Sequence, residues 1–286
     1  MTSNAFRLTK PARQETSVIF ASPHSGRDYP ADFLAASQLD TLQLRSSEDA
    51  YVDRLIARAP MFGAPLLCAL APRAYIDLNR ASDELDPAVI AGIDRMALNP
   101  RISSGLGVIP RVVAGGKAIY AGKITHAEAA CRLNRHWHPY HDALKALIDE
   151  THAKFGEAIL IDVHSMPHEA IDAHARPGSP RPEVVLGDRF GAAAGRDVVD
   201  RVEAAFATAG FRTARNSPFA GAFIAKHYGR PLTQRHVVQI EIDRALYLDE
   251  AKVEPGAGFA SFSVRMNRVM AEIASIGRRS LPVAAE

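Results

Sequence analysis

Two histidines in this chain follow directly on short apolar runs. Val18-Ile19-Phe20-Ala21-Ser22 passes into Pro23-His24-Ser25-Gly26, and Ile159-Leu160-Ile161-Asp162-Val163 passes into His164-Ser165. Such runs read as buried strands of a parallel sheet, and these sheets bind ligands at the carboxyl ends of their strands. Both imidazoles then point into one crevice. Two neutral imidazoles, a carboxylate and an open position make up a hydrolytic zinc site. A lone strand-end histidine is more often structural; the pair brings the metal reading level with that plainer one.

The third ligand should be a carboxylate. Asp28 and Asp32 lie near His24, and Glu48 and Asp49 follow Ser46-Ser47. The spacing predicts a helix over 47–59 with Val52, Leu55, Ile56 and Ala59 on its apolar face, and both Glu48 and Asp49 fall on that face. An acid there either ligates or merely suits a helix N-terminus, an effect of about 0.3–1 kcal/mol. Periodicity does not choose between Glu48 and Asp49.

Arg73 and Arg80 flank a short strand-like run, 75–78, with Asn79 beside the second. The guanidinium fork suits bidentate recognition of a carboxylate, although Arg80 could equally pair with Asp77, Asp83 or Glu84. In 236–243, Val237, Gln239, Glu241 and Asp243 share one strand face, and Val238, Ile240 and Ile242 share the other. A carboxylate between isoleucines is partly desolvated, which raises its pKa and suits a general base. The plainer alternative is an edge strand with a wet polar face.

Other constellations carry less. His138 and His141 share a helical face but His136 does not, and Pro139 disturbs the spacing. Asp162-Val163-His164-Ser165 holds the residue types of a catalytic triad, yet His164 and Ser165 point to opposite strand faces. The chain contains neither a G-x-S-x-G elbow nor a Walker-type phosphate loop.

The elements that must position these residues alternate along the chain. Strands are expected at 17–22, 65–70, 75–78, 158–163, 183–186, 211–214 and 236–242, and helices at about 47–59, 125–153, 189–209 and 258–278. Thr125 and Glu128 have capping-box spacing, Gly210 marks a helix end, and Pro139 predicts a kink or break. This alternation reads as α/β with a mainly parallel sheet, built as one domain over 1–286. Two irregular stretches, 81–122 and 167–182, are long enough to expect function of them; the second holds Pro167, Pro177, Pro180 and Pro182.

The composition is that of a globular enzyme: 286 residues, 47% hydrophobic and 23% charged, with no apolar run long enough to span a bilayer. Lys+Arg 34 against Asp+Glu 32 leaves a net charge of +2 without a basic block, which argues against a nucleic-acid partner. Two cysteines give neither a disulfide framework nor a zinc-finger spacing. With no secretory h-region at the N-terminus, the expected location is cytoplasmic. Oligomeric state is not legible.

The order PHSG, the acidic pair, RAYIDLNR, DVHS, HYGRP and QIEID resembles the N-formylglutamate amidohydrolase family from about 18 to 250. The resemblance implies a three-layer α/β/α fold with a mixed, mainly parallel sheet, zinc-carboxypeptidase-like, and kinship with the aspartoacylase and succinylglutamate desuccinylase group. It implies one zinc per chain and hydrolysis of N-formyl-L-glutamate to formate and L-glutamate, a small acidic acyl-amino-acid substrate. His24 and His164 correspond to zinc ligands. The wider group carries a ligand Glu three residues after the first His, where this chain has Arg27, so the carboxylate comes from elsewhere; Asp49 is the closer match. Arg73, Asn79 and Arg80 resemble the residues that polarise the carbonyl and bind the substrate carboxylate, and Glu241 the catalytic glutamate. Asp162, on the same strand face as His164, is placed to orient its ring, and 216–230 to line the acyl pocket or form a lid. Where histidine-degrading deformylases read T-D-W-H, this chain reads Glu48-Asp49-Ala50-Tyr51. The rival readings are a zinc amidase or carboxypeptidase on other N-acyl amino acids or small peptides, a binding protein that keeps the scaffold without turnover, and an interaction domain without metal.

Overall fold

The computed structural model describes residues 4–93, 99–172 and 181–278. Seven strands form one sheet: β1 (Phe6–Thr9), β2 (Val18–Ser22), β3 (Leu66–Ala69), β4 (Ala158–Met166), β5 (Val184–Gly187), β6 (Thr213–Arg215) and β7 (Arg235–Asp243). Their order is β1-β3-β2-β4-β7-β5-β6. Strands β3, β2, β4 and β7 run parallel; β1 is antiparallel to β3, β5 is antiparallel to β7, and β6 is parallel to β5. This is the mixed, mainly parallel sheet expected.

The two sheet faces bury separate cores. Val18, Phe20, Ile159, Ile161, Val163, Val238, Ile240 and Ile242 pack with the helices Val52–Leu55, Arg196–Thr208 and Phe259–Ile276. Ile19, Ala21, Leu67, Leu160 and Val237 pack with the helix His138–Phe155 through Tyr140, Leu144, Leu147 and Ile148. The result is three layers, α/β/α. Each buried aliphatic side chain contributes about 1.5–3 kcal/mol, so a slip by one residue would expose a whole face. Toward the carboxyl ends of the central strands the second face turns polar. Asp162 and His164 continue the Leu160 face of β4, and Gln239 and Glu241 continue the Val237 face of β7.

Several local expectations give way to tertiary structure. Strand β4 continues to Met166, paired with β7 throughout, so His164 lies inside a strand, whereas His24 follows the end of β2. Strand β7 is interior, with β4 on one side and β5 on the other, which removes the wet-edge alternative for Glu241. Residues 75–78 do not form a strand. The Pro72 carbonyl accepts from both the Tyr75 and Ile76 N–H groups, and the run to Arg80 is a series of turns.

The helix expected over 47–59 is replaced by short helices at Thr41–Arg45 and Val52–Leu55, with Glu48 and Asp49 in the turn between and Tyr51 left-handed at φ 62°. The helix expected from 189 starts at Arg196, because Arg189, Phe190 and Gly191 are all left-handed (φ 55°, 56° and 85°). Gly210, at φ 79°, does follow its end. The chain stays helical across Pro139: a π turn, Leu133–Trp137, joins His126–Arg132 to His138–Phe155, and Pro139 falls in a first turn, where its missing N–H is tolerated.

Strand β1 was not expected; its alternating half-buried pattern belongs to a sheet edge. The irregular stretch beyond 81 carries the short helix Pro100–Ser103 and the 3-10 turn Ala114–Gly116. Of the stretch 167–182, residues 173–180, with Pro177 and Pro180, lie outside the described residues. Among the described residues no helix is long and apolar enough to cross a membrane.

Candidate active site

The turn after β2 presents His24. It can do so only because Gly26 has no side chain: a Cβ there would lie 2.2 Å from the Ala71 carbonyl oxygen. The Asp49 N–H donates to the His24 carbonyl at 3.0 Å, which fixes the acidic turn beside the imidazole. Strand β4 brings His164 to the same point. The three side chains are buried, and their ligand atoms converge: His24 Nδ1 to His164 Nδ1 is 3.1 Å, His164 Nδ1 to Asp49 Oδ2 is 2.9 Å, and His24 Nδ1 to Asp49 Oδ2 is 3.5 Å. Glu48 turns away, accepting from the Tyr29 hydroxyl at 2.7 Å and pairing with Arg45. Arg27 also turns away, forking onto Asp53 at 3.0 and 3.2 Å.

The far nitrogen of each ring meets another carboxylate. His24 Nε2 is 2.7 Å from Asp77 Oδ1, and His164 Nε2 is 3.0 Å from Asp162 Oδ2, close but off the hydrogen-bonding axis. A ring proton donated from His24 Nε2 to Asp77 leaves the His24 Nδ1 lone pair toward Asp49, and His164 Nδ1 reaches the same point from β4. Two imidazole nitrogens and a carboxylate oxygen gathered at contact distance form a ligand set that a cation could take up in place of ring protons. Ligands about 2.0–2.1 Å from a tetrahedral zinc stand about 3.3 Å apart, and the edges here, 2.9, 3.1 and 3.5 Å, bracket that value. The donor set, two nitrogens and one oxygen, suits zinc, and carboxylates behind metal-binding imidazoles are a recurrent support. Among the described residues this is the group of His, Cys, Asp and Glu side chains whose ligand atoms come together.

Without a cation the electrostatics are strongly distorted. Burial opposes the charge on Asp49, but hydrogen bonds from His164 and His24 overcome it and hold the carboxyl well below its usual range. For His164, burial is outweighed by the charge of Asp162 and its contacts with Asp162 and Asp49, and its pKa is held well above the usual value. Asp77 is held low, with burial overcome by His24, Arg80 and Arg73. Burial moves Glu241 the other way, up to about 7, with the Asp49 charge adding to the rise and His164 opposing it.

Glu241 is paired in register with His164 across β4 and β7. Its Oε1 accepts from Gln239 Nε2 at 2.8 Å, and Gln239 Oε1 accepts from the Ala222 N–H at 2.9 Å. Asn79 is similarly occupied. Its Oδ1 accepts from the Ile224 N–H at 2.7 Å, and its Nδ2 lies 3.2 Å from His164 Nε2 and 3.4 Å from Gln239 Oε1. The segment around 222 is therefore tied down as a wall by its own backbone. Arg73 Nε binds Asp77 Oδ2 at 3.1 Å. Among the described residues Arg80 pairs with no carboxylate: its Nε donates to the Leu106 carbonyl and its Nη1 to the Asn79 carbonyl.

Sequence reasoning missed Arg244, one residue beyond β7. Buried, it donates to Asp49 Oδ1 at 3.2 Å, to Ser165 Oγ at 3.2 Å and to the Ser46 carbonyl at 3.1 Å, holding the acidic turn against β4. It also left Asp77 and Gln239 without the roles their contacts give them. The only signal was position: Asp77 lies two residues before Asn79, and Gln239 two before Glu241 on the same face. His141 is no ligand. Its Nε2 donates to the Leu78 carbonyl and its Nδ1 accepts from the Tyr228 hydroxyl, and burial drives its pKa down to about 3.

All this opens into a cavity of about 770 Å³, into whose wall His24, His164, Glu241, Asn79, Arg73, Arg80 and Arg244 contribute. Arg101 and Arg189 complete the basic lining, supplied by the irregular stretch beyond 81 and the left-handed turn after β5. With two of the guanidiniums matched to Asp77 and Asp49, the wall remains electropositive, which suits a small substrate carrying carboxylates.

Comparison with known proteins leads the same way. A family model described as N-formylglutamate amidohydrolase matches residues 16–248. An N-formylglutamate deformylase of Pseudomonas aeruginosa is 30% identical over 243 residues, 83% of this chain and 84% of the relative. One from Pseudomonas putida is 27% identical over 238 residues, 82% of this chain and 83% of the relative. The crystal structure of N-formylglutamate amidohydrolase from Ralstonia eutropha JMP134 superposes with a TM-score of 0.91 at 35% identity, covering 98% of this chain and 100% of that one.

Proposed function

This chain belongs to the N-formylglutamate amidohydrolase family, and from that premise we propose that it is a zinc-dependent amidohydrolase converting N-formyl-L-glutamate and water to formate and L-glutamate. The observation that carries the reading is the buried triangle of His24 Nδ1, His164 Nδ1 and Asp49 Oδ2, with Glu241 alongside and arginines around the mouth.

His24, His164 and Asp49 would hold the metal, which when bound supplies Lewis acidity toward water and the scissile carbonyl. Glu241 accepts a proton from the attacking water and returns it to the leaving amine. Gln239 holds one oxygen of that carboxylate and leaves the other to the substrate. Arg73, fixed by Asp77, faces the oxyanion that develops as water adds, an interaction worth about 2.7–4 kcal/mol per donor. Arg80 clamps a substrate carboxylate, and Asn79, with its amide engaged by His164, Gln239 and Ile224, positions Arg80's neighbours and the imidazole more than it binds substrate. Asp77 and Asp162 orient the imidazoles, and Arg244 orients Asp49.

The test is formate release from N-formyl-L-glutamate by zinc-loaded protein, with metal stoichiometry measured on the same sample. Rapid release at about one metal per chain is the expected result. Bound metal without release keeps the hydrolase and rejects this substrate; neither metal nor release overturns the reading.

A further inference from the structure

A second cavity, of about 530 Å³, adjoins the first and shares Arg101, Arg189 and Ala222 with it. Formylglutamate, with two carboxylates and a one-carbon acyl group, does not need it. Lys226 and Arg230 line it, both exposed, against Asp83 and Glu84. None of these acids forms an ion pair with the four cations among the described residues. Arg189 donates to the Gly221 carbonyl, and Arg230 to the carbonyls of Lys226 and Gly229, so carbonyls orient these guanidiniums without neutralising them.

Arg189 is held more firmly than a surface cation requires. It belongs to the left-handed run 189–191, and its neighbours are fixed by Asp188 and Asn216: Asn216 Oδ1 accepts from the Asp188 and Phe190 N–H groups, and Asp188 Oδ2 accepts from that of Gly191. Non-glycine residues in this conformation persist only where surrounding structure imposes them, and they concentrate at functional sites. The side of the catalytic cavity on which the second one opens is also defined. Arg80 lines the catalytic cavity, and Ala81, Asp83 and Glu84, which follow it in the chain, line the second one, so the second cavity extends the side on which Arg80 is proposed to clamp a substrate carboxylate.

We propose that the second cavity is an anion-binding subsite for an extended leaving group, so that the enzyme also takes N-formylated acidic dipeptides in which one carboxylate of the glutamate carries a further acidic residue through an amide. This rests on the reading given under Proposed function. The reaction is unchanged in kind. Water adds its oxygen to the formyl carbon, the C–N bond breaks, formate leaves, and the amine of the dipeptide takes the proton. Lys226 and Arg230 bind the additional carboxylate, and Arg101 and Arg189 bridge the two cavities.

The experiment compares N-formyl-L-glutamate with its α- and γ-linked N-formyl-glutamyl-glutamate counterparts, in wild-type enzyme and in Lys226→Ala/Arg230→Ala, at low and high salt. The expected outcome is turnover of at least one dipeptide by wild type. In the variant kcat/KM for that dipeptide should fall about tenfold or more through KM, the scale of losing one charged hydrogen bond, with formylglutamate unaffected. Equal losses for all substrates that vanish at high salt would make these cations a steering field and overturn the subsite. Turnover of formylglutamate alone would overturn it too and leave the proposed function standing. If no substrate is turned over, binding of free glutamyl-glutamate against glutamate decides: preference for the dipeptide in wild type, lost in the variant, supports the subsite independently of the reaction, and equal binding overturns it.

Discussion

His164 and Glu241 are register partners on adjacent parallel strands and occupy the same face of the sheet. An imidazole of the proposed metal site and a desolvated carboxylate are thereby placed side by side by ladder hydrogen bonds rather than by loops. The strands fix their separation, and Gln239 fixes the rotation of the carboxylate.

Glu241→Gln should retain metal and lose turnover by about 10²–10⁴-fold, the usual contribution of a positioned general base. The amide preserves shape and removes only the ability to accept a proton. Metal content and kcat measured together check it; near-normal kcat with full metal would take Glu241 out of the base role.

Because the base must be ionised, kcat/KM should rise with pH through an acid limb and fall about tenfold per unit below it. Burial sets Glu241 at about 7 without a cation, and a neighbouring dication favours the ionised form, so in the loaded enzyme the limb lies below that value. A profile flat across the range in which carboxylates and imidazoles titrate would contradict this.

Metal and proton compete for the same acceptors. Against the effect of burial, Asp162 and Asp49 hold the His164 pKa well above its usual value when no cation is present, so metal binding at the proposed site should displace a proton and strengthen as pH rises. Calorimetry in buffers of different ionisation enthalpy should show net proton release. Asp77→Asn, which weakens the support behind His24, should lower metal affinity about 10–100-fold in a chelator competition; unchanged affinity would leave Asp77 as a partner of Arg73 only.

Arg80→Lys keeps the charge but loses the bonds to the Leu106 and Asn79 carbonyls that aim the guanidinium. KM for formylglutamate should rise about tenfold with kcat little changed, since ammonium cannot replace a fixed fork. An unaltered KM would make Arg80 a loop-bracing residue.

The mainly parallel sheet and the positions of His24, His164 and Glu241 were legible because they depend on short apolar runs and strand alternation, which are local, whereas the three-layer arrangement came from the family resemblance. The acidic pair was flagged for a reason the structure replaces, and only the resemblance favoured Asp49: it is not on a helix face but in a turn, held to His24 through its backbone and to Arg244 through its second oxygen. Residues 75–78 looked like a strand because Tyr and Ile favour one, yet the Pro72 turn and the packing of Arg132 against Tyr75 claim them instead. Arg244 carried no periodic signature, since its three partners lie on segments the chain joins only after folding.

Those distances along the chain have a kinetic consequence. His164 meets Asp49 across 115 residues and His24 across 140, and Arg244 meets Asp49 across 195. His24 and Asp49 are the nearest pair in the chain, 25 residues apart, and the third member, His164, comes 115 residues after Asp49, so a metal would not find its three ligands in one short stretch as it does in a zinc finger. The contacts of His164 and Arg244 close long loops, which slows folding, and the proposed metal would meet its full ligand set only when β2, β4 and the acidic turn have docked. On the proposed ligand set, metal uptake would follow folding, and its rate, measured by rapid mixing, would be a clock for the completed sheet.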